Sequence, residues 1–262
     1  MENLNQSSPI NASVKDGLKT ATGILLLING LLFIATILFK ISGIDLAEIG
    51  GLHFFLAKDF HVYQLVTYLF LHVSLWHIFS NLLFLWLFGL IVEKCWGAKK
   101  FIAYYIICGI VGGLLQELAQ FASFYLTIAA QEPETSLGAV FELGKQISTE
   151  LNSWITVGSS SAVCAVVLAF GVMFSHKQIF SIKVKWIILS YVILEILSFI
   201  GSFGNGGTFA AQLGAMLCGY VLMKCWKSDK NLIVCDDRMT EWGMKLLIIV
   251  IAINVAHLVI NI

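Results

Sequence analysis

Two short polar clusters hold the residues of this sequence that are most suited to chemistry. The first, FLHVSLWHIFSN, contains His72, His77 and Asn81, and the last two are four residues apart, so they share one face of a helix. The second, VGSSSAV, contains three consecutive serines at 159–161. Spacing alone predicts a polar cavity. Two structural interpretations stay open, namely hydrogen bonds from the His–Asn pair to loop groups and helix N-capping by the serines.

Both clusters lie in or beside long apolar segments. The 262-residue chain is 58% apolar and 12% charged, with a mean hydropathy of +0.87, whereas soluble domains carry about 25% charged residues. A helix needs roughly 17–25 apolar residues to cross the hydrocarbon layer. The sequence therefore excludes a soluble domain and predicts an all-α polytopic membrane protein. Seven helices are predicted, at about 20–40, 74–92, 101–119, 158–174, 184–201, 208–223 and 243–261.

The positions of the charged residues predict how these helices are oriented. The 16 basic and 16 acidic residues cancel, so no overall field favours nucleic acid as a partner. However, 12 of the 16 basic residues fall in connections on one side, which the positive-inside rule makes cytoplasmic. We therefore expect a multi-pass membrane protein with a cytoplasmic N-terminus, in the plasma (inner) membrane if the source is bacterial. The other side has only Lys40, Lys58 and Lys145, with Lys245 at the start of the last helix.

Two connections on the outer side are longer than a turn. The connection 41–73 contains FFLAKDFHVYQLVTYLF, whose aromatic residues favour the membrane interface. In the connection 120–157, AQFASFYLTIAA continues the helix predicted at 101–119, and the sequence then becomes polar. We expect the first to lie in the outer leaflet, and the second to form a further interfacial helix followed by a loop.

Three segments resemble a known family. QLVTYLFLHVSLWHIFSNLLFLWLFGLIVEKCWGAKKF resembles the second-helix signature of the rhomboid family of intramembrane serine proteases. TVGSSSAVCAVVLAFGVMF is similar to the fourth helix of that family, and LGAMLCGYVLMK to the sixth. The resemblance implies a rhomboid-like six-helix core plus one C-terminal transmembrane helix. We expect a cytoplasmic tail at 1–19, the membrane domain at 20–226, and a cytoplasmic linker with the extra helix at 227–262.

The resemblance also implies roles for particular residues. Rhomboid proteases hydrolyse peptide bonds within the membrane with a Ser/His dyad. By position, Ser160 takes the place of the nucleophile. His77, Asn81 and the backbone N–H of Ser160 take the places of the oxyanion hole, where donors stabilise the developing charge. Ala215 and Gly219 take the places of the small residues that pack the sixth helix against the fourth.

The other half of the implied site departs from the family pattern. Gln212 stands at the position of the general-base histidine, and an amide cannot accept a hydroxyl proton near neutral pH. Ser161, Cys164 and Ala165 replace a glycine, an aromatic residue and a second glycine. The sequence therefore predicts a degenerate dyad in a pseudoprotease that still binds transmembrane segments of client proteins. The alternative is an active serine-type endopeptidase that cleaves single-spanning membrane proteins with Ser160.

Other polar residues leave minor alternatives open. If the seventh helix packs beside the fourth, His257 would be a substitute base for Ser160. Glu117 and Glu195, within predicted helices, are expected to make structural hydrogen bonds, although they could instead mark the polar passage of a transporter. The histidines are too dispersed to form a ligand cluster, so neither a metal nor another cofactor is expected.

Overall fold

A computed structural model of the protein describes residues 19–176, 178–179, 182–202 and 208–226. The predicted helix at 243–261 and His257 lie outside the described residues. In chain order the elements are α1 (Ala21–Ile41), α2 (Leu46–Gly50), β1 (Leu52–His53), α3 (Gln64–Thr67), α4 (Leu75–Phe84), α5 (Leu90–Trp96), α6 (Ala98–Gln131), α7 (Leu137–Gln146), β2 (Ile155–Thr156), α8 (Ser160–Met173), β3 (Gln178–Ile179), β4 (Ile182–Lys183), α9 (Val184–Ser202) and α10 (Phe209–Cys225). Turns of 3-10 helix lie at Tyr68–Phe70 and Glu150–Ser153, and a π-helical turn at Leu85–Gly89 joins α4 to α5.

Helices make up the fold of the described residues. Three helical stretches, Ala21–Ile41, Leu75–Trp96 and Ala98–Gln131, are long and apolar enough to cross a membrane. The shorter helices α8, α9 and α10 are also apolar. The strands form two antiparallel pairs of two residues each, so the described residues contain no sheet core. The prediction of an all-α polytopic membrane protein is confirmed.

The helix α6 extends beyond the span predicted at 101–119. The sequence predicted that AQFASFYLTIAA continues this helix, and a single helix of 34 residues runs from Ala98 to Gln131, about 50 Å long. The further helix expected in the connection corresponds to α7. Residues 120–131 include no helix breaker, and Pro133 comes directly after the C-cap Glu132. Because the residue before a proline disfavours helical geometry, the helix ends there and not at 119.

The connection 42–74 packs against the C-terminal half of α6. The strand β1 pairs with β2, with Leu52 opposite Thr156. The buried ring of Phe54 lies 5.4 Å from Trp154 and 6.1 Å from Phe124 of α6, between ring centroids. The long α6 therefore supports the connection that leads into α4.

Glu93 of α5 fastens the N-terminus of α1. Its two carboxylate oxygens accept hydrogen bonds from the backbone N–H groups of Ala21 and Thr22 at 2.7 and 2.8 Å, and Oε2 also accepts from the Thr22 hydroxyl at 2.7 Å. The first N–H groups of a helix have no partner within the helix, and a negative charge there is favourable. This carboxylate therefore fixes where α1 stands beside α5.

Candidate active site

Ser160 begins α8, and Gly158 shapes the turn before it. Gly158 has φ +118°, a conformation that favours glycine. A Cβ atom at this position would lie 2.5 Å from Cε1 and Nε2 of His77. The Gly158 N–H also donates to the carbonyl of Tyr68 at 2.9 Å. The turn therefore passes directly over the His77 ring, which brings α4 against the N-terminus of α8.

His72 joins the two polar clusters of the sequence. Its Nε2 lies 3.2 Å from Asn81 Nδ2, 3.3 Å from Ser159 Oγ and 3.5 Å from the Ser159 backbone nitrogen. His72 and Ser159 are fully buried, and Asn81 is nearly so. The half-buried ring of His77 meets His72 edge-on, with 5.0 Å between centroids. The structure thus brings His77, Asn81 and the serine cluster together, with a histidine at the centre to which sequence reasoning assigned no role.

The environment of His72 keeps its imidazole neutral. The residue lies in the connection before α4, outside the spanning helices. Burial first, and then the proximity of His77, lowers the pKa of His72 to about 4. At neutral pH the ring therefore carries no charge, and one of its nitrogens is free to accept hydrogen bonds.

Ser161, the residue that stands in place of a glycine, has its own buried partner. Its Oγ lies 3.0 Å from the hydroxyl of Tyr68, which donates at 2.7 Å to the carbonyl of Gly109 in α6. Since the tyrosine proton is used in that bond, the Ser161 hydroxyl donates to the tyrosine oxygen. The added side chain therefore links α8 to the 3-10 turn before α4.

Small residues let α6, α8 and α10 approach closely beside Ser161 and one turn further along α8. A Cβ at Gly112 would lie 2.6 Å from the carbonyl oxygen of Ala211 and 3.1 and 3.2 Å from the Cβ atoms of Ser161 and Ala215. One turn further along, a Cβ at Gly219 would meet the Tyr104 hydroxyl and come within 3.3 Å of Ala165 Cβ. Ala215 and Gly219 therefore both lie where helices pack closely.

Gln212 of α10 lies next to this close contact between helices. It follows Ala211, whose carbonyl lies at the level of Ser161 on α8. The Ala211 N–H approaches Gln116 Oε1 at 3.3 Å. Gln212 Oε1 is itself buried and has no hydrogen-bond partner among the described residues. Gln212 thus follows a residue of α10 that packs close to Ser161 of α8 through Gly112, and no hydrogen bond joins the Gln212 and Ser160 side chains among the described residues.

A match to a family model identifies the family of this chain. Residues 59–227 match the family model of the rhomboid domain. The chain belongs to the rhomboid family. The match includes α4, α8 and α10, the three helices that carry the candidate site.

Several curated proteins are similar to this rhomboid chain. It is 27% identical to rhomboid-like protease 3 of Toxoplasma gondii over 166 residues, and this aligned stretch covers 63% of this chain and 52% of the relative. With rhomboid-like protease 1 of the same organism the identity is 25% over 178 residues, covering 67% and 51%. Rhomboid protease GlpG of Salmonella newport (strain SL254) is 40% identical over 58 residues, covering 22% and 21%. The chain thus spans about half the length of the two Toxoplasma relatives.

In this rhomboid protein a neighbouring helix supplies an aromatic residue beside Cys164. The Sγ of Cys164 lies 2.8 Å from the hydroxyl of Tyr191 in α9. Cys164 is one helical turn beyond Ser160, at the position where the family resemblance implies an aromatic side chain. The Tyr191 side chain therefore lies near the position that an aromatic side chain at residue 164 would occupy.

The remaining candidates of the sequence analysis lie elsewhere. Glu117 Oε2 accepts a hydrogen bond of 2.7 Å from the Phe55 N–H, so this carboxyl holds the connection after β1 against α6. The side chain of Glu195 lies outside what the structure describes. Across the described ranges, no three His, Cys, Asp or Glu side chains form a group able to hold a metal ion.

Proposed function

We propose that this rhomboid-family protein binds transmembrane segments of client proteins and hydrolyses them very slowly or not at all. The observation that carries the proposal is Gln212, whose amide stands at the position of the general base. A neutral amide has no lone pair basic enough to take the proton of the Ser160 hydroxyl. General-base assistance is worth roughly 10²–10⁴-fold in rate, and a serine without its base is a weak nucleophile.

The nearby histidines do not replace the missing base in this proposal. His72 Nε2 is already occupied by Asn81 and Ser159, and its low pKa of about 4 makes it a weak base at neutral pH. His77 packs against Gly158 and belongs to the oxyanion side of the site. A ring on that side is suited to donate to a carbonyl oxygen and not to deprotonate Ser160.

The binding half of the site keeps its donors. Ser160 is half-buried at the first position of α8, where backbone N–H groups have no partner within the helix. With His77 and Asn81, these N–H groups form a polar pocket suited to the backbone carbonyl of an unwound client segment. The partners in this proposal are membrane proteins and the lipid bilayer, without nucleic acid, metal or cofactor.

The proposal includes the orientation and domain limits that the charges predict. The N-terminus and the tail 1–19 are cytoplasmic, and residues 20–226 form the membrane domain. Residues 227–262 add a cytoplasmic linker and one further helix. The candidate site then faces the outer leaflet, and in a bacterium the protein would lie in the plasma (inner) membrane.

An active intramembrane endopeptidase is the competing function. It is favoured by the partial exposure of Ser160 and by the three intact oxyanion positions. Labelling of membranes with a fluorophosphonate probe separates the two functions, because this probe reacts with activated serines. We expect the wild-type protein to be labelled no more than the Ser160→Ala variant. Strong labelling that Ser160→Ala abolishes would establish the active protease.

A gain-of-function variant tests the assignment of Gln212. We expect Gln212→His to restore slow cleavage of a single-spanning reporter, and Gln212→His with Ser160→Ala to remove it. Adding Cys164→Phe would supply the missing ring, but the Tyr191 hydroxyl 2.8 Å from Cys164 leaves little room, so the single change is the sharper test. If a folded Gln212→His variant is neither labelled nor active, the loss extends beyond the base.

A further inference from the structure

His72 is the best connected side chain of the site, although neither the proposed dyad nor the oxyanion hole includes it. Three polar atoms surround its Nε2, namely Asn81 Nδ2 at 3.2 Å, Ser159 Oγ at 3.3 Å and the Ser159 backbone nitrogen at 3.5 Å. Two of them belong to the turn before α8, and the third belongs to α4. A single ring nitrogen thus links the two elements that build the pocket.

The chemistry of these neighbours determines the state of the ring. A backbone N–H can only donate, and the amide nitrogen of Asn81 is also a donor. Nε2 must therefore be the acceptor, which puts the ring proton on Nδ1 in a neutral imidazole. His53 provides a contrast within the same chain. It is equally buried, but its Nε2 lies 2.7 Å from the carbonyl oxygen of Glu48, so that nitrogen must carry the proton.

This contact is not a second Ser–His dyad, because neither side chain is accessible to a substrate. Ser159 and His72 are both 0% exposed. A scissile carbonyl has no approach to Ser159 Oγ, whereas the neighbouring Ser160 is only half-buried. The Ser159–His72 contact is therefore structural, and its consequence must reach the cavity through the groups that it holds.

We infer that His72 is a positioning residue, whose neutral Nε2 fixes the turn 158–160 and the amide of Asn81 so that both present N–H groups to the cavity. The Asn81 amide has two N–H bonds. When one is directed to His72, the plane of the amide is set and the other can face a client carbonyl. The bond to the Ser159 N–H restrains the next peptide unit, which carries the N–H of Ser160. This role rests on the proposed function of the site as a carbonyl-binding pocket.

The protonation state of the ring tests the inference directly in the wild-type protein. Nitrogen NMR on protein with ¹⁵N-labelled histidine distinguishes a protonated from an unprotonated ring nitrogen, and the His72→Gln variant assigns the resonances. We expect His72 to be protonated at Nδ1 and unprotonated at Nε2, and His53 to show the opposite pattern. A proton on Nε2 of His72 would overturn the inference.

Hydrogen exchange tests whether the ring holds the turn. His72→Leu removes the acceptor, while His72→Gln puts a carbonyl oxygen near the position of Nε2. We expect the amides of Ser159 and Ser160 to exchange about fivefold or more faster in His72→Leu, with near wild-type rates in His72→Gln. His53→Leu is the matched control, because it removes a buried imidazole with another partner and should leave these two amides protected. Unchanged exchange in a folded His72→Leu protein would contradict the positioning role.

Neither measurement depends on a client or on cleavage, so the inference and the proposed function can fail separately. If fluorophosphonate labelling shows an active protease, the tautomer and exchange results still decide the role of His72. If His72→Leu does not fold, the wild-type tautomer remains decisive, and Ser159→Ala should keep the exchange protection because it retains the backbone N–H.

Discussion

Single residues decide how the two polar clusters meet. Gly158 has to be glycine for two independent reasons, the positive φ and the contact with the His77 ring. Sequence reasoning found His77, Asn81 and the serines by their type and spacing. It gave His72 no role because that residue precedes the helix, where periodicity carries no information, and its partner Ser159 is distant in sequence. It also suggested N-capping by the serines, yet Ser159 makes no side-chain capping bond.

Replacement of Gly158 should therefore destabilise the protein. Gly158→Ala forces a Cβ into φ +118° and against the His77 ring, and we expect a loss of about 2 kcal/mol or more in the free energy of unfolding. Gly43→Ala is the control, because Gly43 has φ +82° but nothing lies within 4 Å of a Cβ there. Unfolding in a denaturing detergent measures both. An equal loss in the two variants would show that the His77 contact contributes nothing.

The low pKa of His72 predicts a pH dependence of stability. The folded pKa is about 4, below the 6.5 of the unfolded chain, so between these values the unfolded state binds the additional proton. Stability should thus be complete above pH 6.5 and fall as the pH drops towards 4, by up to about 1.4 kcal/mol per pH unit. The titratable and charged groups near the ring are His77, which meets it edge-on, and Lys40 and Asp45, which line a cavity together with His72.

Thermal unfolding between pH 7.5 and 4.5 measures this dependence. Because His72→Gln keeps an acceptor but cannot be protonated in this range, we expect a flatter profile for that variant. The ion pair of Lys40 and Asp45 lowers the pKa of Asp45, so that carboxyl contributes mainly at more acidic pH. Identical slopes for wild type and His72→Gln would assign the acid sensitivity to other groups.

At the scale of elements, the helices were predictable and their connections were not. Apolar runs located the starts and ends of most membrane helices to within a few residues, since burial in lipid requires such runs. The continuation of α6 beyond 119 was predicted from AQFASFYLTIAA, whereas its end at Gln131 was not assigned to a residue. The polar pairing of Ser161 with Tyr68, and of Glu93 with α1, depends on contacts between distant segments, which spacing does not reveal.

The attachment of α1 through Glu93 can be tested by a neutral substitution. Glu93→Gln keeps the size of the side chain but replaces one accepting oxygen by a donor, which leaves N–H groups of Ala21 or Thr22 without a partner. We expect a loss of about 1.5–3 kcal/mol in unfolding free energy. Glu134→Gln, at an exposed position, is the matched control and should change stability little. A neutral Glu93→Gln would mean that other groups hold α1.

The close approach of α6 and α10 gives a second prediction for the elements. A Cβ at Gly112 would lie 2.6 Å from the backbone carbonyl of Ala211, which cannot turn aside as a flexible side chain can. We expect Gly112→Ala to separate the helices and reduce thermal stability by about 1–3 kcal/mol. Gly30→Ala, in α1 with nothing within 4 Å, should be neutral or slightly stabilising. Similar effects in both variants would rule out tight packing at Gly112.

At the scale of the whole molecule, the fold and the chemistry are specified by different parts of the sequence. Small residues on α6, α8 and α10, together with the Glu93 attachment of α1, maintain the rhomboid framework. In the proposed function the chemistry depends on Gln212, whose neutral amide would not act as a base. A family match therefore establishes the framework, while the activity depends on single side chains whose roles only direct labelling can decide.

The orientation of the molecule in the membrane gives the last prediction. The positive-inside rule predicts that the turn between α5 and α6 is cytoplasmic and that the connection before α4 is external. Lys94 is exposed in the last turn of α5, and Lys58 is exposed on the connection before α4. Single cysteines at these positions can therefore report on the two sides in a background that lacks the six native cysteines. We expect a membrane-impermeant maleimide to modify Lys58→Cys in intact cells and Lys94→Cys only after permeabilisation. The reverse labelling pattern would mean that the membrane topology is inverted, and the candidate site would then face the cytoplasmic leaflet.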